Sequence, residues 1–379
     1  MVCPQFRPLV GGYERAAERL AQELARQGHS VEVVTERRDP SWPGRECSSG
    51  VTIHRLWCKP VPRWHTLTSA LSLLGFFLRR GRQYDLIHIH QYGPLAALTI
   101  AFGQWAGKKV VLKLTNTGHE GLDAALPHSM LGRLVRGLHR RVDACICTSR
   151  RAADEAESFG ISRSRVSLIP NALDVEYFRP PSVEEKSRAR RALGVGDGFL
   201  AINVCRLTAQ KNQALLVDAW ADGVASQADA LLAILGAGPL EEKLREQITR
   251  RGLDRSVRLA GQVSDPLPWY WAADLFVLSS DWEGLSNSLM EALCCGLPML
   301  STRVSGSEDV VEEAPVGRLV DPGDREALRV ALEEMAGDSA GRTRSGEAAR
   351  AYAKNRYALS AIVEQTLALY RGLLGTRRA

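Results

Sequence analysis

The chain has 379 residues, 45% of them hydrophobic and 24% charged, a composition that excludes a disordered chain and a collagen-like one and gives room for two or three domains. Its net charge of +6 is uneven: residues 1–180 carry 25 Lys+Arg against 16 Asp+Glu, whereas the remainder is slightly acidic. A basic first half fits an anionic membrane surface or a phosphorylated acceptor, and no nucleic-acid recognition motif accompanies it.

The eight cysteines form no C-x-x-C pair and show no metal-ligand spacing, which with the lack of a leader pattern at the start predicts a reducing cytoplasm. The longest apolar stretch, Leu67 to Leu78, is too short to span a bilayer.

Met1 to Pro4 reads as the tail of a first strand. Gly11 and Gly12 follow, ahead of an amphipathic helix from Ala16 to Gln27 closed by Gly28. Paired glycines let backbone amides approach a ligand, and a helix N-terminus favours a phosphate. Residues 31–35 and 51–56 are the next strands. Residues 63–82, RWHTLTSALSLLGFFLRRGR, form an apolar helix with Trp64 at one end and Arg79, Arg80 and Arg82 at the other. Two readings fit it: a core helix flanked by solvated arginines, or a segment resting on anionic lipid. Strands at 85–90, 108–114, 144–149 and 166–170 alternate with helical segments, which argues a doubly wound parallel sheet. The loop after the strand at 108–114, Thr115 to Gly121, is polar and glycine-rich and sits at a carboxyl strand end.

A turn at Pro170-Asn171 and the polar, Pro-containing segment after it read as an interdomain link, with a charged helix from Glu184 to Arg191. The second half repeats the alternation. Residues 199–204 are a strand that delivers Arg206 and Lys211 to its carboxyl end, a planar fork and a point charge suited to a diphosphate. After a helix at 240–251 and a strand at 257–261 comes a loop, Gln262-Val263-Ser264-Asp265. The central stretch is Ala273 to Pro298. A buried strand from Leu275 to Leu278 leads to a loop with Glu283, and Ser288-Leu-Met-Glu291 reads as a capping box that opens a helix ended by Gly296 and Pro298. The amides of Gly284, Leu285, Ser286 and Asn287, with the helix N-terminus, offer a place for anionic oxygens. A final helix runs from Leu359 to Leu374.

The pair Glu283 and Glu291, an E-x7-E motif after a strand, resembles the donor site of the retaining GT-B glycosyltransferases of family 4. Gly11-Gly12-Tyr13-Glu14-Arg15 is similar to that family's GGxER loop, Ile169 to Asp174 to its IPNGVD crossover, and Cys205 to Asn212 to its GRLxxxKG segment. The matches run in family order along the whole chain. The resemblance implies an α/β GT-B fold of two Rossmann-like doubly wound domains facing across a cleft. An acceptor-side domain would cover 1–175 and a nucleotide-sugar-binding domain 195–356, with the helix at about 357–375 packed back on the first. Family members usually carry a longer first strand, which implies a shortened or misplaced start here.

The implied reaction moves a sugar, with retention, from a nucleotide-diphosphate sugar to a hydroxyl acceptor, often lipid-linked, with no metal and no covalent nucleophile. Arg206, Lys211 and the amides at Gly284–Asn287 would stabilise the leaving diphosphate, Glu283 would face the sugar and Glu291 the ribose. Val263 would lie in the loop that frames the base, and Gly11 and Gly12 would cover the phosphates or the acceptor. By register Asn116 stands where the family usually places a sugar-facing histidine, and His119 lies three residues on, so either can take that role. An inverting GT-B transferase, a nucleotide-sugar epimerase and a non-catalytic nucleotide-sugar-binding subunit remain as alternatives. The location implied is cytoplasmic, at the inner face of the plasma membrane if residues 63–82 rest on lipid.

Overall fold

A computed structural model describes residues 1–8, 12–59, 61–115, 117, 121 and 130–375, without the side chains of residues 62, 63, 130 and 131. Gly11, Asn116 and His119 lie outside the described residues. The chain divides into two compact units: Met1–Ala172 with Leu359–Ala379, and Leu173–Ala358.

In the first unit, β1 (Val31–Arg37) pairs in parallel with β3 (Val51–Trp57), and β2 (Arg45–Ser48) adds an antiparallel edge. β4 (Leu86–His90), β5 (Lys109–Leu114), β6 (Ala144–Cys147) and β7 (Val166–Leu168) form a parallel four-stranded set. Val2 joins the two sets, bridging Val34 on one side and Ile89 on the other. The parallel strands are near-continuous apolar runs because helices cover both faces. One face packs on residues such as Phe77, Ile100 and Phe102. Against the other lies the last helix, Leu359–Gly375, whose Ile362 joins Val111 and Ile146 while Val363 and Leu367 meet Leu20 and Leu24.

The second unit holds one six-stranded parallel sheet in the order β10-β9-β8-β11-β12-β13. Its strands are β8 (Leu200–Val204), β9 (Leu231–Leu235), β10 (Val257–Gly261), β11 (Leu275–Leu278), β12 (Met299–Thr302) and β13 (Gly317–Val320). Every residue of β11 is buried. Each such Leu, Phe or Val contributes about 1.5–3 kcal/mol relative to leaving it in water. Arg190 and Lys186, on the helix Val183–Ala192, both reach Asp274 at the head of β11, and Asp274 also accepts from the Leu200 amide of β8. That shared carboxylate ties helix, β8 and β11 together before the chain reaches the other end of the sheet.

The chain builds β8, β9 and β10 outward in one direction, then returns to place β11, β12 and β13 on the other side of β8. The order reverses between β8 and β11. In open α/β sheets the crevice beyond the carboxyl ends of two such strands is where ligands bind.

Candidate functional site

The loops that leave β8 and β11 are laced to one another. The Asp281 amide donates to the Gln210 carbonyl (2.8 Å), and the Gln210 side-chain amide donates to the Trp282 carbonyl (2.8 Å). Asn212 Nδ2 donates to Asp281 Oδ1 (2.9 Å), and Ser279 Oγ donates to the Lys211 carbonyl (2.9 Å). Asn212 adopts φ 45°, a left-handed conformation that asparagine tolerates better than most residues. There it caps the helix Gln213–Asp222, with its side chain accepting from the Leu215 amide.

This lacing carries Lys211 to Glu283. The ammonium donates to Glu283 Oε1, which also accepts from Ser280 Oγ at 2.9 Å. The pair is sheltered, with side-chain exposures of 13% and 9%. Arg206, just past β8, is exposed, and among the described residues its guanidinium has no ion pair. Lys211 and Arg206 therefore differ: the first is held by a carboxylate, the second is open to an incoming anion. Burial raises the Cys205 thiol to about 12 despite the opposing pull of Lys211, so this neighbour stays neutral.

Beyond Glu283 the backbone turns through Gly284 and Leu285 into the helix Asn287–Cys294. A second glycine allows the turn to pack. The Gly306 amide donates to the Gly284 carbonyl (2.9 Å), and a Cβ on Gly306 would come within 2.8 Å of that oxygen and 2.6 Å of Leu285 Cδ1. The helix cap differs from the sequence reading. Ser286, not Ser288, is the N-cap, its hydroxyl accepting from the Leu289 amide, and Ser288 lies inside the first turn. The S-x-x-E pattern occurs at Ser288 and not at Ser286, which has Leu289 three residues on, but the loop closes two residues earlier than Ser288. Glu291 consequently lies too deep to reach the cap amide. At a helix start the first-turn amides lie outside the intrahelical ladder, and here the Leu289 amide is taken by Ser286 Oγ.

Glu291 is buried, and its Oε2 accepts from Tyr270 Oη at 3.1 Å. Tyr270 is fully buried in the short helix Leu267–Ala272 and also donates to the Ser288 carbonyl (3.3 Å). Tyr177 lies on the same side: burial, a hydrogen bond to Asp265 and the charges of Asp265 and Glu291 all raise its phenol. Val263, two residues before Asp265, is half-buried against the core of this unit. The structure thus brings Lys211 to Glu283, and Tyr270 to Glu291, with the loop of Val263 and Asp265 near Tyr177. Gly12 begins the helix Gly12–Arg26 of the first unit.

Sequence reasoning missed Ser280, Tyr270 and Tyr177. Ser280 shares a short loop with Glu283, a signal that was present; Tyr270 reads as core in any single-sequence view because it is an aromatic in an apolar helix.

The model of Glycosyltransferase Family 4 matches residues 10–177, and that of Glycosyl transferases group 1 matches residues 198–338. An uncharacterized glycosyltransferase of Methanocaldococcus jannaschii is 29% identical over 210 residues, 55% of this chain and only 52% of that protein. The GDP-mannose-dependent alpha-(1-6)-phosphatidylinositol monomannoside mannosyltransferase of Mycolicibacterium smegmatis is 26% identical over 374 residues, covering 94% of both chains. Among solved structures, Anabaena Alr3699/HepE in complex with UDP-glucose superimposes with a TM-score of 0.79 at 20% identity, over 97% of this chain and 98% of that one. Two family models matched in order, and a fold shared along nearly the full length, place this chain among the glycosyltransferases of the GT-B fold.

Proposed function

We propose that the protein is a retaining glycosyltransferase that moves a sugar from a nucleotide-diphosphate donor to a hydroxyl on a lipid-linked or cell-surface glycan precursor. The observation that carries this reading is the Lys211–Glu283 pair spanning the point where the strand order reverses, with Glu291 on the next helix. The difficult step is departure of the nucleoside diphosphate, which gathers negative charge on its oxygens while the sugar ring becomes positive. Arg206, Lys211 and the amides from Gly284 to Asn287 supply positive groups for the leaving oxygens. Glu283, paired with Lys211, supplies the opposite charge on the sugar side. Preorganisation through Ser280 and the laced loops means that little rearrangement accompanies charge development. Glu291, steadied by Tyr270, accepts from the ribose hydroxyls, and the loop of Val263 borders the base. With two cations and a helix N-terminus facing the diphosphate, the reaction proceeds without a metal.

Relatives support the donor and acceptor classes. HepE is a structure with UDP-glucose, and the mycobacterial relative takes GDP-mannose and a phosphatidylinositol mannoside. The helix Pro62–Arg80 supports a membrane-bound acceptor: Trp64, Leu67, Leu71, Leu74 and Leu78 are all exposed, with Arg79 and Arg80 in its last turn. Such a face suits peripheral contact with anionic lipid. Among the described residues no helix is long and apolar enough to cross a membrane.

The test is a thermal-shift screen against UDP-, GDP- and ADP-sugars, followed by NMR of the product's anomeric configuration with the preferred donor, with and without added Mg²⁺ or Mn²⁺. Donor-dependent stabilisation, an anomeric configuration kept from the donor and turnover unchanged by either ion are expected. Inversion would refute retention, and turnover that requires either ion would refute metal independence.

A further inference from the structure

Far from β8 and β11 in sequence, three side chains with metal-binding chemistry meet in the first unit. Glu36 stands near the carboxyl end of β1, Cys58 directly follows β3, and His65 is in the first turns of the helix Pro62–Arg80. β1 and β3 are parallel neighbours with Glu36 opposite Leu56, so their carboxyl ends deliver residues 36 and 58 to one edge of the sheet. The helix begins there and adds the imidazole. A carboxylate oxygen, the thiol sulfur and a ring nitrogen all lie within 4.8 Å of one another. Ligand atoms on a tetrahedral ion, with bonds of about 2.0–2.3 Å, stand roughly 3.3–3.8 Å apart, so side-chain adjustments of about 1 Å close the set.

We propose that Glu36, Cys58 and His65 form a zinc site that fastens the first turns of the helix Pro62–Arg80 to the β1–β3 edge. The donor set selects the ion. Thiolate and imidazole suit Zn²⁺, whereas Mg²⁺ and Ca²⁺ take oxygen ligands. Glu36 and Cys58 are buried and His65 is half-buried, which shelters two ligands and leaves an approach along the ring. Charge balances, since one thiolate and one carboxylate neutralise a divalent cation.

The surroundings already hold the carboxylate in place. Ser69 Oγ donates to Glu36 Oε1 (3.1 Å), and Arg38 donates to Oε2 (3.1 Å), which also faces His65 Nε2 at 3.3 Å. Binding exchanges that last contact for the ion, while Ser69 and Arg38 remain as the outer partners that orient a metal ligand. Arg38 continues to Gln5, whose side-chain nitrogen donates to Glu14 Oε1 (3.1 Å) in the first turn of the helix Gly12–Arg26. Binding releases the Cys58 proton to solvent as the Zn–S bond forms. Burial, then the Glu36 charge, raises this thiol above its ordinary value. The ion competes with that proton, so affinity climbs as pH rises.

The experiment uses the full chain, stripped with a chelator and titrated with Zn²⁺ against a chromogenic chelator, then with Co²⁺. One equivalent of Zn²⁺ per chain is expected, with a rise in unfolding temperature that Mg²⁺ does not reproduce and a cobalt–thiolate charge-transfer band in the near ultraviolet. Cys58→Ser should lose the band, and His65→Gln should weaken Zn²⁺ binding about tenfold or more. Cys47→Ser removes the exposed thiol and should change neither. Absence of stoichiometric binding, or binding unaltered in Cys58→Ser and His65→Gln, overturns the proposal. If circular dichroism shows Cys58→Ser misfolded, His65→Gln decides, because its side chain is only half-buried.

Discussion

Replacing Lys211 with methionine tests whether the ion pair exists in solution. Lys211 and Glu283 are close to fully sheltered, so water repays little of what either loses when its partner goes. Removing one member of a buried pair costs about 3–5 kcal/mol because the other charge is stranded. The residual exposure and the Ser280 hydroxyl on Glu283 argue for the low end, about 3 kcal/mol. For a unit of this size that corresponds to a fall in Tm of roughly 6–12 °C. Glu283→Gln strands the ammonium instead and should cost a similar amount. The double variant strands neither charge and should recover a coupling of about 1–3 kcal/mol relative to the sum. Differential scanning calorimetry on the three variants measures it. Losses that simply add, or three values within about 0.5 kcal/mol of the parent, would show that the pair does not form. Nucleoside diphosphate titrated into Lys211→Met should bind roughly ten- to a hundredfold more weakly, the magnitude of one charge-assisted contact.

Three further outcomes follow from individual environments. Lys113 is buried in β5, and burial lowers its pKa to about 8. The unfolded chain holds that proton up to about 10.5, so between those values the folded state binds fewer protons and stability rises with pH. Lys113→Met should flatten the rise and add up to about 3 kcal/mol at neutral pH, measured by urea unfolding at several pH values; an unchanged slope would count against it. Arg206→Ala should reduce diphosphate affinity about ten- to a hundredfold while leaving Tm within the small range of surface changes, and calorimetric titration with a parallel melt checks both. Replacing Leu71 and Leu78, both more than half exposed, with serine should abolish salt-sensitive co-sedimentation with anionic vesicles without loss of stability. Equal binding of the parent to neutral vesicles would remove the electrostatic part of that argument.

Strands were legible where burial on both faces leaves an uninterrupted apolar run, as at Leu275–Leu278. The edge strand Arg45–Ser48 was not, because it is polar and half-exposed and pairs only on one side. Site residues near one another in sequence could be grouped from spacing alone. What spacing cannot carry is contact across elements. Lys211 and Glu283 are 72 positions apart and meet only because β8 and β11 are neighbours. The same holds for Tyr270 and Glu291, and for Glu36 with Cys58 and His65. In the helix Asn287–Cys294 a local pattern misled: S-x-x-E matched at Ser288, yet the cap is set by where the Gly284–Gly306 contact lets the loop close.

The two glutamates separate by what each faces as the reaction proceeds. Glu291 is buried in a helix and fixed by the Tyr270 hydroxyl, and its proposed partners, the ribose hydroxyls, are the same in bound donor and transition state. Losing it subtracts binding common to both, so Glu291→Gln should mainly raise the donor KM. Tyr270→Phe should give a milder version of the same change, because it removes one hydrogen bond that positions the carboxylate and leaves the carboxylate itself. Glu283 lies in the loop after β11, paired with Lys211, and in the proposed reaction it stands beside the leaving group. In that reaction, as the sugar–phosphate bond breaks, Lys211 turns toward growing negative charge and the Glu283 carboxylate meets growing positive charge on the ring. That interaction exists fully only in the transition state, so Glu283→Gln should mainly lower kcat, by about a hundredfold, as removal of one preorganised group does at an oxyanion site. Steady-state kinetics of the three variants with the preferred donor distinguishes the roles. A kcat loss in Glu291→Gln beside a pure KM effect in Glu283→Gln would reverse the assignment, and unchanged constants in all three would remove both carboxylates from the donor site.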